Sequence, residues 1–275
     1  MVIVMKKHLS EDRTSMESIL GELSKYRYYD EISTALATAE QAGVVLRNSF
    51  GRENKIKHAS RRDIKIEEDI LSEKIIIDQL TRFQYPIISE EIGNIGDIVS
   101  GLPTWIVDPL DGTHNFMRNI PICAISIALW MDKKPLFGVV YNFLANEIFV
   151  GISEIGAWRN GHQIEVSVID TLSDASIATG FPVNTDFSSD SIGKVINHVR
   201  RFKKIRMLGS AAMSLAYVAS GRVDIYQEEH IMIWDIAGGL ALVEAAGGAY
   251  ILLSTEIENC YTVIAGNSAI VKRYE

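Results

Sequence analysis

The sequence predicts a layered α/β fold in which helices cover mixed β-sheets. Long stretches carry apolar residues at helical spacing, shorter runs are rich in β-branched residues, and the two kinds of stretch are interleaved along the chain. The chain has 275 residues, of which 47% are hydrophobic. That is enough to bury a sizeable core, either as one large domain or as two closely packed halves.

Helices are predicted first along the chain. Apolar residues recur at helical spacing over residues 28–48 and 68–83, and a further helix is predicted around residues 15–23. Later helices are expected over residues 188–202 and 210–220. The inward positions of the helix at 68–83 are predicted to be Ile70, Leu71, Ile75, Ile76 and Leu80.

β-Strands are predicted through the middle and the end of the chain. The short apolar run at residues 105–107 indicates a buried strand, which Pro109 and Gly112 are expected to stop. Asn160 and Gly161 are typical of a hairpin turn. The other predicted strands lie at 85–89, 122–130, 135–141, 147–151, 176–179, 224–227, 249–253 and 262–265.

Pairs of acidic residues follow two of these strands. Asp108 and Asp111 come after Val107, and Glu90 and Glu91 follow an earlier strand. In open α/β sheets, ligands bind at the carboxyl ends of strands. Two carboxylates on one tight turn repel each other unless a cation lies between them, and Mg²⁺ prefers carboxylate oxygens. The pattern indicates a metal site, although Asp111 alone could be a capping residue in an ordinary turn.

Two further polar residues stand at predicted helix starts. Thr113 falls in a first helical turn, where unpaired N–H groups and the helix dipole favour an anion such as phosphate. Asp235 precedes a long apolar helical pattern, and taken alone it is most simply an N-cap.

These segments together resemble the inositol monophosphatase family of Mg²⁺-dependent, lithium-sensitive phosphatases. The resemblance covers roughly residue 28 to the end of the sequence, and it implies an α-β-α-β-α sandwich of the inositol monophosphatase and fructose-1,6-bisphosphatase type. It also implies a single unit over residues 1–275, with halves of about 1–150 and 151–275 that meet at the active site. The motifs are Ser89-Glu90-Glu91, Asp108-Pro-Leu-Asp111-Gly-Thr113, Gly180-Phe-Pro, Gly209-Ser210-Ala211-Ala212 and Trp234-Asp235-Ile-Ala-Gly.

The resemblance implies a set of metal ligands and a metal count. Glu90, Asp108 and the carbonyl of Leu110 would bind a first Mg²⁺. Asp108, Asp111 and Asp235 would bind a second, so that Asp108 bridges the two ions. Two or three Mg²⁺ ions per active site are implied. Paired metals of this kind clamp the attacking and leaving oxygens of a phosphoryl displacement.

Catalytic and phosphate-binding roles follow from the same resemblance. Thr113 would orient or deprotonate the attacking water, with Asp69 behind it as the polarising partner, because a hydroxyl alone is a weak base. The backbone N–H groups of Gly112 and Thr113 would hold phosphate oxygens. Glu91 would support the site.

The substrate side is implied to include Asp111, Ser210, Ala211 and Glu228. Glu228 would contact hydroxyls of the alcohol moiety, but it could equally be a solvated acid at the end of a strand. The position of His114 next to Thr113 would place it beside the leaving group, whereas a lone histidine is more often a surface residue.

The segment before Asp69 departs from the family pattern Asp-Leu-Val-Thr-x-x-Asp. The outer aspartates match at Asp63 and Asp69, but Lys65 and Ile66 stand in place of Val-Thr. A lysine found upstream in many members corresponds to His58 here. These departures weaken the expectation of a third metal ion and of a mobile loop that closes. Asp69 could also be simply an acid at the N-terminus of a helix, where the helix dipole favours a negative charge.

The implied function is Mg²⁺-dependent hydrolysis of a small phosphomonoester, such as inositol 1-phosphate or a related polyol or sugar phosphate, with inhibition by Li⁺. Fructose 1,6-bisphosphate, histidinol phosphate and 3′-phosphoadenosine 5′-phosphate are alternative substrates for the same chemistry. A role of another class is a weakly catalytic regulatory partner of RNA or transcription machinery. The basic run at residues 200–206 would suit that role, but a solvated helix end is the simpler interpretation.

Composition and charge limit the binding partners and the cellular compartment that are expected for the protein. The formal net charge of −8 argues against nucleic acid as the main partner, since backbone binding needs a basic surface. Cys123 and Cys260 are far apart in apolar surroundings, which favours buried thiols and a reducing cytoplasm over a disulfide. No apolar run approaches the ~20 residues of a membrane span. A homodimer is expected from the family resemblance.

Overall fold

Apolar residues at every third or fourth position give the first part of the chain two long helices. The computed structural model describes residues 21, 23–52, 56–59, 64–181 and 187–274. Helix α1 spans Tyr29–Ser49, and helix α2 spans Glu67–Leu80 and continues into a 3₁₀ turn at Thr81–Phe83. Both predicted helices are confirmed. The helix predicted around residues 15–23 falls mainly outside the described residues.

A short antiparallel hairpin between these helices was not predicted. Strand β1 spans Ile56–Ala59 and strand β2 spans Ile64–Ile66, with Ile56 opposite Ile66. Asp63, the first aspartate of the family pattern, lies outside the described residues. The hairpin brings Lys65 and Ile66 directly before α2, so the part of the chain that departs from the family pattern leads into the helix that carries Asp69.

Runs of β-branched and aromatic residues build a large sheet. Its strands are β3 (Ile87–Ser89), β4 (Gly93–Ile95), β5 (Thr104–Asp111), β6 (Ala124–Met131), β7 (Lys134–Asn142), β8 (Glu147–Ile152), β9 (Gly156–Arg159) and β10 (His162–Ile164). Within the described residues they pair in the order β10-β9-β8-β7-β6-β5-β3-β4. The meander of β6, β7 and β8 confirms the prediction. Asn160 and Gly161, with φ of 48° and 80°, form the predicted hairpin turn between β9 and β10.

Strand β5 is longer than the sequence predicted. It runs through Asp108 to Asp111 and is not stopped at Val107, because its pairing with β6 shifts register between the two aspartates. At this irregularity Pro109 has no paired residue on β6, so the missing N–H of proline removes no ladder hydrogen bond there. Both aspartates therefore belong to the strand itself.

The second half of the chain forms a smaller mixed sheet and most of the remaining helices. The strands are β11 (Ser176–Thr179), β12 (Lys204–Arg206), β13 (Ile225–Met232), β14 (Gly248–Ser254) and β15 (Cys260–Asn267). In the described part of the chain their order is β12-β11-β13-β15-β14. The other helices are α3 (Thr113–Met117), α4 (Ser189–Val199), α5 (Ala211–Ala219), α6 (Ile233–Ala245) and α7 (Ser268–Val271).

The basic run at residues 200–206 is not simply a helix end. Helix α4 ends at Val199, and Lys204 to Arg206 form the exposed edge strand β12, which pairs in parallel with β11. Charged side chains are common on edge strands because they discourage pairing with other chains.

Three hydrophobic clusters separate five layers, which confirms the predicted α-β-α-β-α sandwich. One cluster joins α1 and α2 to the large sheet through residues such as Ile32 and Trp105. A second fills the space around α5 and α6 between the two sheets, with Leu215 and Leu240 at its centre. The third covers the outer face of the small sheet and includes Ile270 of α7.

Glycines allow α6 to lie close against the large sheet. A Cβ atom on Gly138 of β7 would lie 2.5 Å from the carbonyl oxygen of Gly238 in α6. A Cβ atom on Gly238 would in turn lie 2.5 Å from Oγ of Ser126 in β6. Any larger residue at these positions would push α6 away from the sheet. Asp235, in the first turn of α6, would move with the helix.

Helix α2 turns a partly polar face inward, and the predicted inner face is wrong in its first half. Ile76 and Leu80 are buried as expected, but Ile70 and Leu71 are each 45% exposed. Asp69, Ser72 and Glu73 are buried in their place. These three residues share one helical face, which is directed at the acid-bearing strands and not at an apolar core.

The cysteines and the helices agree with the remaining sequence predictions. Cys123 and Cys260 are both free and buried. Burial raises the pKa of the Cys123 thiol to about 12, with a smaller contribution from the charge of Asp111. None of the helices in the described ranges is long and apolar enough to cross a bilayer.

Candidate active site

Parallel pairing of β3 and β5 brings the first two acidic segments together. Ser89 lies opposite Val107, and the backbone N–H of Glu90 donates to the carbonyl of Val107 at 3.3 Å. Because the strands run in the same direction, Glu90 and Asp108 leave the pair side by side. Two acids from different segments of the chain thus lie next to each other at the carboxyl ends of neighbouring strands.

Asp235 reaches the same place from the opposite side. It is the third residue of α6, and Met232 occupies the N-cap position, so the interpretation of Asp235 as an N-cap is wrong. One carboxylate oxygen each from Asp108, Asp111 and Asp235 lie within 4.8 Å of one another. Asp108 and Asp111 are 1% and 7% exposed, respectively. Three carboxylates this close, of which Asp108 and Asp111 are buried and Asp235 is partly buried, form a donor set suited to a hard divalent cation.

The acids disfavour one another's ionisation. Burial raises the pKa of Glu90 to about 7, and the charge of Glu91 adds to the effect. Burial and the charges of Glu90 and Asp111 raise the pKa of Asp108 and of Asp235 well above the usual range. A positive ion among them would reverse this effect, since it favours the charged forms.

Asp108 also has an unsatisfied oxygen. Its Oδ1 accepts the backbone N–H of Leu110 at 2.9 Å. Its Oδ2 is buried and has no hydrogen-bond partner among the described residues. Buried polar atoms are almost always paired, so an orphaned carboxylate oxygen facing two other acids fits a metal ligand.

Asp111 is held by the start of α5. Its carboxylate accepts hydrogen bonds from the hydroxyl of Ser210 and from the backbone N–H groups of Ala211 and Ala212, the latter at 2.9 Å. Ser210 is also the N-cap of α5, where it accepts the N–H of Met213. Burial raises the pKa of Asp111 to about 6, and these donors limit the rise. Ser210 and Ala211, predicted on the substrate side, thus contact Asp111.

Thr113 and Asp69 lie next to each other as predicted. The Thr113 hydroxyl is 3.0 Å from the carbonyl oxygen of Leu110, to which it donates, and 3.4 Å from Oδ1 of Asp69. The second oxygen of Asp69 accepts the backbone N–H of Ile66 at 2.7 Å, so the acid also caps α2. Burial, together with the charges of Glu91 and Glu90, raises the pKa of Asp69 to about 8. Thr113 itself is the first residue of α3, after Gly112 with φ of 89°.

Two supporting residues on α2 were missed by the sequence analysis. The Ser72 hydroxyl donates to the carbonyl of Pro109 at 2.7 Å. Glu73 accepts the Ser89 hydroxyl at 2.5 Å and the Ile92 backbone N–H at 3.0 Å, so it brackets Glu90 and Glu91. The helical spacing of Asp69, Ser72, Ile76 and Leu80 was the signal that could have identified this face.

The remaining predicted residues surround this cluster. Glu91 pairs with Lys65 at 3.1 Å. His114 and His58 are both exposed. Lys57, next to His58, pairs with Glu67 at 3.5 Å.

Glu228 lies within β13, so the interpretation of it as a solvated strand-end acid is wrong. Its Oε2 accepts the hydroxyl of Tyr226 at 2.8 Å. A Cβ atom on Gly180 would lie 2.5 Å from the Glu228 carboxylate, so a larger residue there would displace this side chain. Burial raises the pKa of Glu228 to about 7, and the charge of Asp111 contributes, which places Glu228 on the same side of the molecule as the acid cluster.

Comparison with known proteins decides the family. The model of the "Inositol monophosphatase family" matches residues 28–273. The chain belongs to the inositol monophosphatase family. Inositol monophosphatase 3 of Solanum lycopersicum is 38% identical over 226 residues, 79% of this chain and 84% of that protein. The protein named Nus factor SuhB of Escherichia coli K12 is 32% identical over 251 residues, 88% of this chain and 92% of that protein.

Solved structures of the family share the fold. The extragenic suppressor protein suhB of Bartonella henselae superposes with a TM-score of 0.80 at 33% identity, over 89% of this chain and 96% of that one. The inositol monophosphatase of Anabaena gives a TM-score of 0.76 at 31% identity, over 89% and 93% of the two chains. The chain is therefore a phosphatase, a phosphoric monoester hydrolase that acts on small phosphorylated substrates. The inositol monophosphatase family is metal-dependent, and the acid cluster described above could hold a metal ion.

Proposed function

We propose that this inositol monophosphatase family member hydrolyses a small polyol or sugar phosphomonoester, with inositol 1-phosphate as the leading substrate, and that Mg²⁺ is its metal. The observation that carries the proposal is the cluster of Asp108, Asp111 and Asp235, whose oxygens lie within 4.8 Å of one another. The orphaned Oδ2 of Asp108 supports it, because it gives the cluster an acceptor that only an added group can satisfy.

The ligands would come from three parts of the chain. Glu90, Asp108 and the Leu110 carbonyl would hold one Mg²⁺, and Asp108, Asp111 and Asp235 would hold another. When bound, the ions would neutralise charge on the phosphoryl oxygens and make an attacking water more acidic. The raised pKa values of Glu90 and Asp108 would return towards the usual range, since a cation favours carboxylates.

Thr113 and Asp69 would handle the proton of the attacking water. The Thr113 hydroxyl would accept a hydrogen bond from the water and donate its own to Oδ1 of Asp69, which is 3.4 Å away. Burial raises the pKa of Asp69 above its usual value, and a carboxylate with a raised pKa accepts a proton more readily. The N–H groups of Gly112 and Thr113 would bind phosphate oxygens at the start of α3.

Glu228 would select the alcohol part of the substrate. Its carboxylate has one oxygen bonded to Tyr226, and a carboxylate can accept several hydrogen bonds, so sugar or inositol hydroxyls could donate to it. Ser210 and Ala211 would shape the same side of the pocket while holding Asp111. His114, which is exposed next to Thr113, would face the leaving group.

A phosphate-release assay tests the proposal. The panel contains inositol 1-phosphate, fructose 1,6-bisphosphate, histidinol phosphate and 3′-phosphoadenosine 5′-phosphate, each with Mg²⁺ and with EDTA. We expect inositol 1-phosphate to be hydrolysed fastest, EDTA to stop the reaction and Li⁺ to inhibit it. Faster hydrolysis of another substrate would reassign the substrate, and phosphate release in EDTA would contradict the metal assignment.

A second candidate function is suggested by one of the relatives. The Escherichia coli K12 protein that is 32% identical to this chain is named Nus factor SuhB, a name that points to a role other than phosphate release. The exposed basic edge strand β12 would be a surface for such a role. Failure to hydrolyse any substrate of the panel, together with binding to the transcription machinery in a pull-down, would favour this candidate.

Assembly and location form a further part of the proposal. We propose a homodimer in the cytoplasm, on the basis of family membership and of the two free, buried thiols. Light scattering coupled to gel filtration would measure the mass. A single species at the monomer mass of 30.6 kDa would contradict the dimer.

A further inference from the structure

A lysine lies among the acids on the α2 side of the candidate active site. Lys65 is on strand β2, immediately before Ile66, whose backbone N–H is bound by Asp69. Its Nζ atom is 3.1 Å from Oε2 of Glu91, and the two side chains are 27% and 9% exposed. An ion pair this sheltered from water is screened much less than one on the open surface.

The ammonium group acts on more than its direct partner. The charge of Lys65 lowers the pKa of Glu90, while that of Glu91 raises the pKa of both Glu90 and Asp69. Glu90, Glu91 and Asp69 therefore form a group of three acids on this side, and Glu90 also lies beside Asp108 of the cluster with Asp111 and Asp235. In the described part of the chain, Lys65 supplies a positive charge to this group.

We propose that Lys65 takes the place of a divalent cation on the α2 side, so that the chain binds two Mg²⁺ ions where the family resemblance allows two or three. The inference rests on the proposed function, because it concerns the metal content of that same site. An ion approaching Glu90 and Glu91 would meet an ammonium group already bonded to Glu91 at 3.1 Å, and like charges repel. The lysine is attached to the chain, so its charge is present at any concentration of free metal.

Counting bound ions tests the inference directly. Mn²⁺ serves as the probe, because free Mn²⁺ can be measured by its magnetic resonance signal after equilibrium dialysis against the full chain. Lys65→Met removes the charge and keeps the apolar stem, whereas Lys65→Arg keeps the charge. Lys57→Met is the matched control, since Lys57 belongs to the same hairpin and pairs with Glu67 at 3.5 Å.

We expect two Mn²⁺ ions per chain in the unmodified protein, in Lys65→Arg and in Lys57→Met, and three in Lys65→Met at the same free Mn²⁺. Lys65→Gln is a second charge-removing variant and should also bind three. Equal counts in the unmodified protein and in the two neutral variants would overturn the inference, as would three ions in the unmodified protein. Circular dichroism on each variant confirms that the counts come from folded chains.

The two proposals fail in different ways. If the unmodified chain binds no Mn²⁺ and releases no phosphate, the proposed function is wrong and the inference falls with it. If the unmodified chain binds Mn²⁺ and hydrolyses inositol 1-phosphate, but Lys65→Met binds no extra ion, only the inference about Lys65 is wrong.

Discussion

The two sides of the acid cluster neutralise their charges by different means. On the α5 side, Asp111 accepts hydrogen bonds from Ser210, Ala211 and Ala212, so the start of a helix stabilises the charge. On the other side, Asp108 lies next to Glu90 and keeps one oxygen without a partner among the described residues. Only two residues, Pro109 and Leu110, lie between the two aspartates on the same strand.

This difference shows which acid the fold prepares for a ligand. The donors at the start of α5 offset part of the cost of ionising Asp111, whereas one oxygen of Asp108 has no partner among the described residues. The metal-free protein therefore carries an electrostatic penalty at Asp108, and metal binding would be coupled to stability, as expected for a ligand that binds only the folded state.

The largest effect is expected from Asp108→Asn. Loss of the bridging charge should reduce kcat by at least about 100-fold, because metal ions contribute several kcal/mol of charge stabilisation. The melting temperature of the metal-free variant should be equal to or above that of the unmodified protein, since a buried repelling charge is gone. The matched variant is Asp111→Asn, which should also lose activity but should melt lower, because its donors at α5 lose a charged acceptor. Equal melting shifts in the two variants would remove the distinction between the two sides.

Thr113→Ala should have the next largest effect. Removing the hydroxyl between Leu110 and Asp69 should lower kcat by about 10²-fold, within the range of general base catalysis. Thr113→Ser keeps the hydroxyl and should retain most of the activity. Steady-state kinetics and Mn²⁺ counting together check this prediction, because the metal content should be unchanged in both variants. A loss of metal in Thr113→Ala would mean that the residue organises ligands and does not handle the proton.

Variants of Glu73 test whether helix α2 holds Glu90 in position. Glu73→Ala removes the acceptor for the Ser89 hydroxyl and the Ile92 N–H, so Glu90 should lose its position and the Mg²⁺ affinity should fall by about 10-fold. Glu73→Gln keeps an acceptor oxygen and should restore most of that affinity. The measurement is the Mg²⁺ concentration that gives half-maximal activity, compared with kcat at saturating Mg²⁺. A fall in kcat with unchanged Mg²⁺ dependence would contradict a positioning role.

The smallest effect is a pH dependence of stability. The pKa is raised to about 7 for Glu90, to about 6 for Asp111 and to about 8 for Asp69, each from a usual value near 4. The folded state binds the protons more tightly, so this stability is fully present below about pH 4 and is lost as the pH rises through 6 to 8. The metal-free protein should therefore melt a few degrees lower at pH 8 than at pH 5. Saturating Mg²⁺ should remove most of that difference; a melting temperature that rises with pH without metal would contradict these pKa directions.

The sequence predicted the elements whose signals are local. Helices α1 and α2, the β6 to β8 meander and the Asn160-Gly161 turn each follow from periodicity or from turn chemistry within a few residues. The spatial meeting of Asp108, Asp111 and Asp235 within 4.8 Å was expected from the family motifs and is present. The motif spacing carries this information because each acid stands at a fixed place relative to a strand or a helix.

Other features depend on partners that are remote in sequence and could not be predicted. The burial of Ser72 and Glu73 on α2 was not predicted, because they become buried only through contacts with Pro109, Ser89 and Ile92. The extension of β5 to Asp111 depends on a register shift against β6, and β12 depends on pairing with β11.

The hydrogen bonds from the start of α5 to Asp111 have a consequence for synthesis of the chain. Ser210 follows Asp111 by 99 residues, so a ribosome exposes the aspartate long before any of its donors exist. Asp235 is translated later still. A nascent N-terminal half can pair β3 with β5, but it has neither the third carboxylate nor the helix that neutralises the second. Partially translated chains would consequently lack the second proposed metal site, formed by Asp108, Asp111 and Asp235, and would release no phosphate.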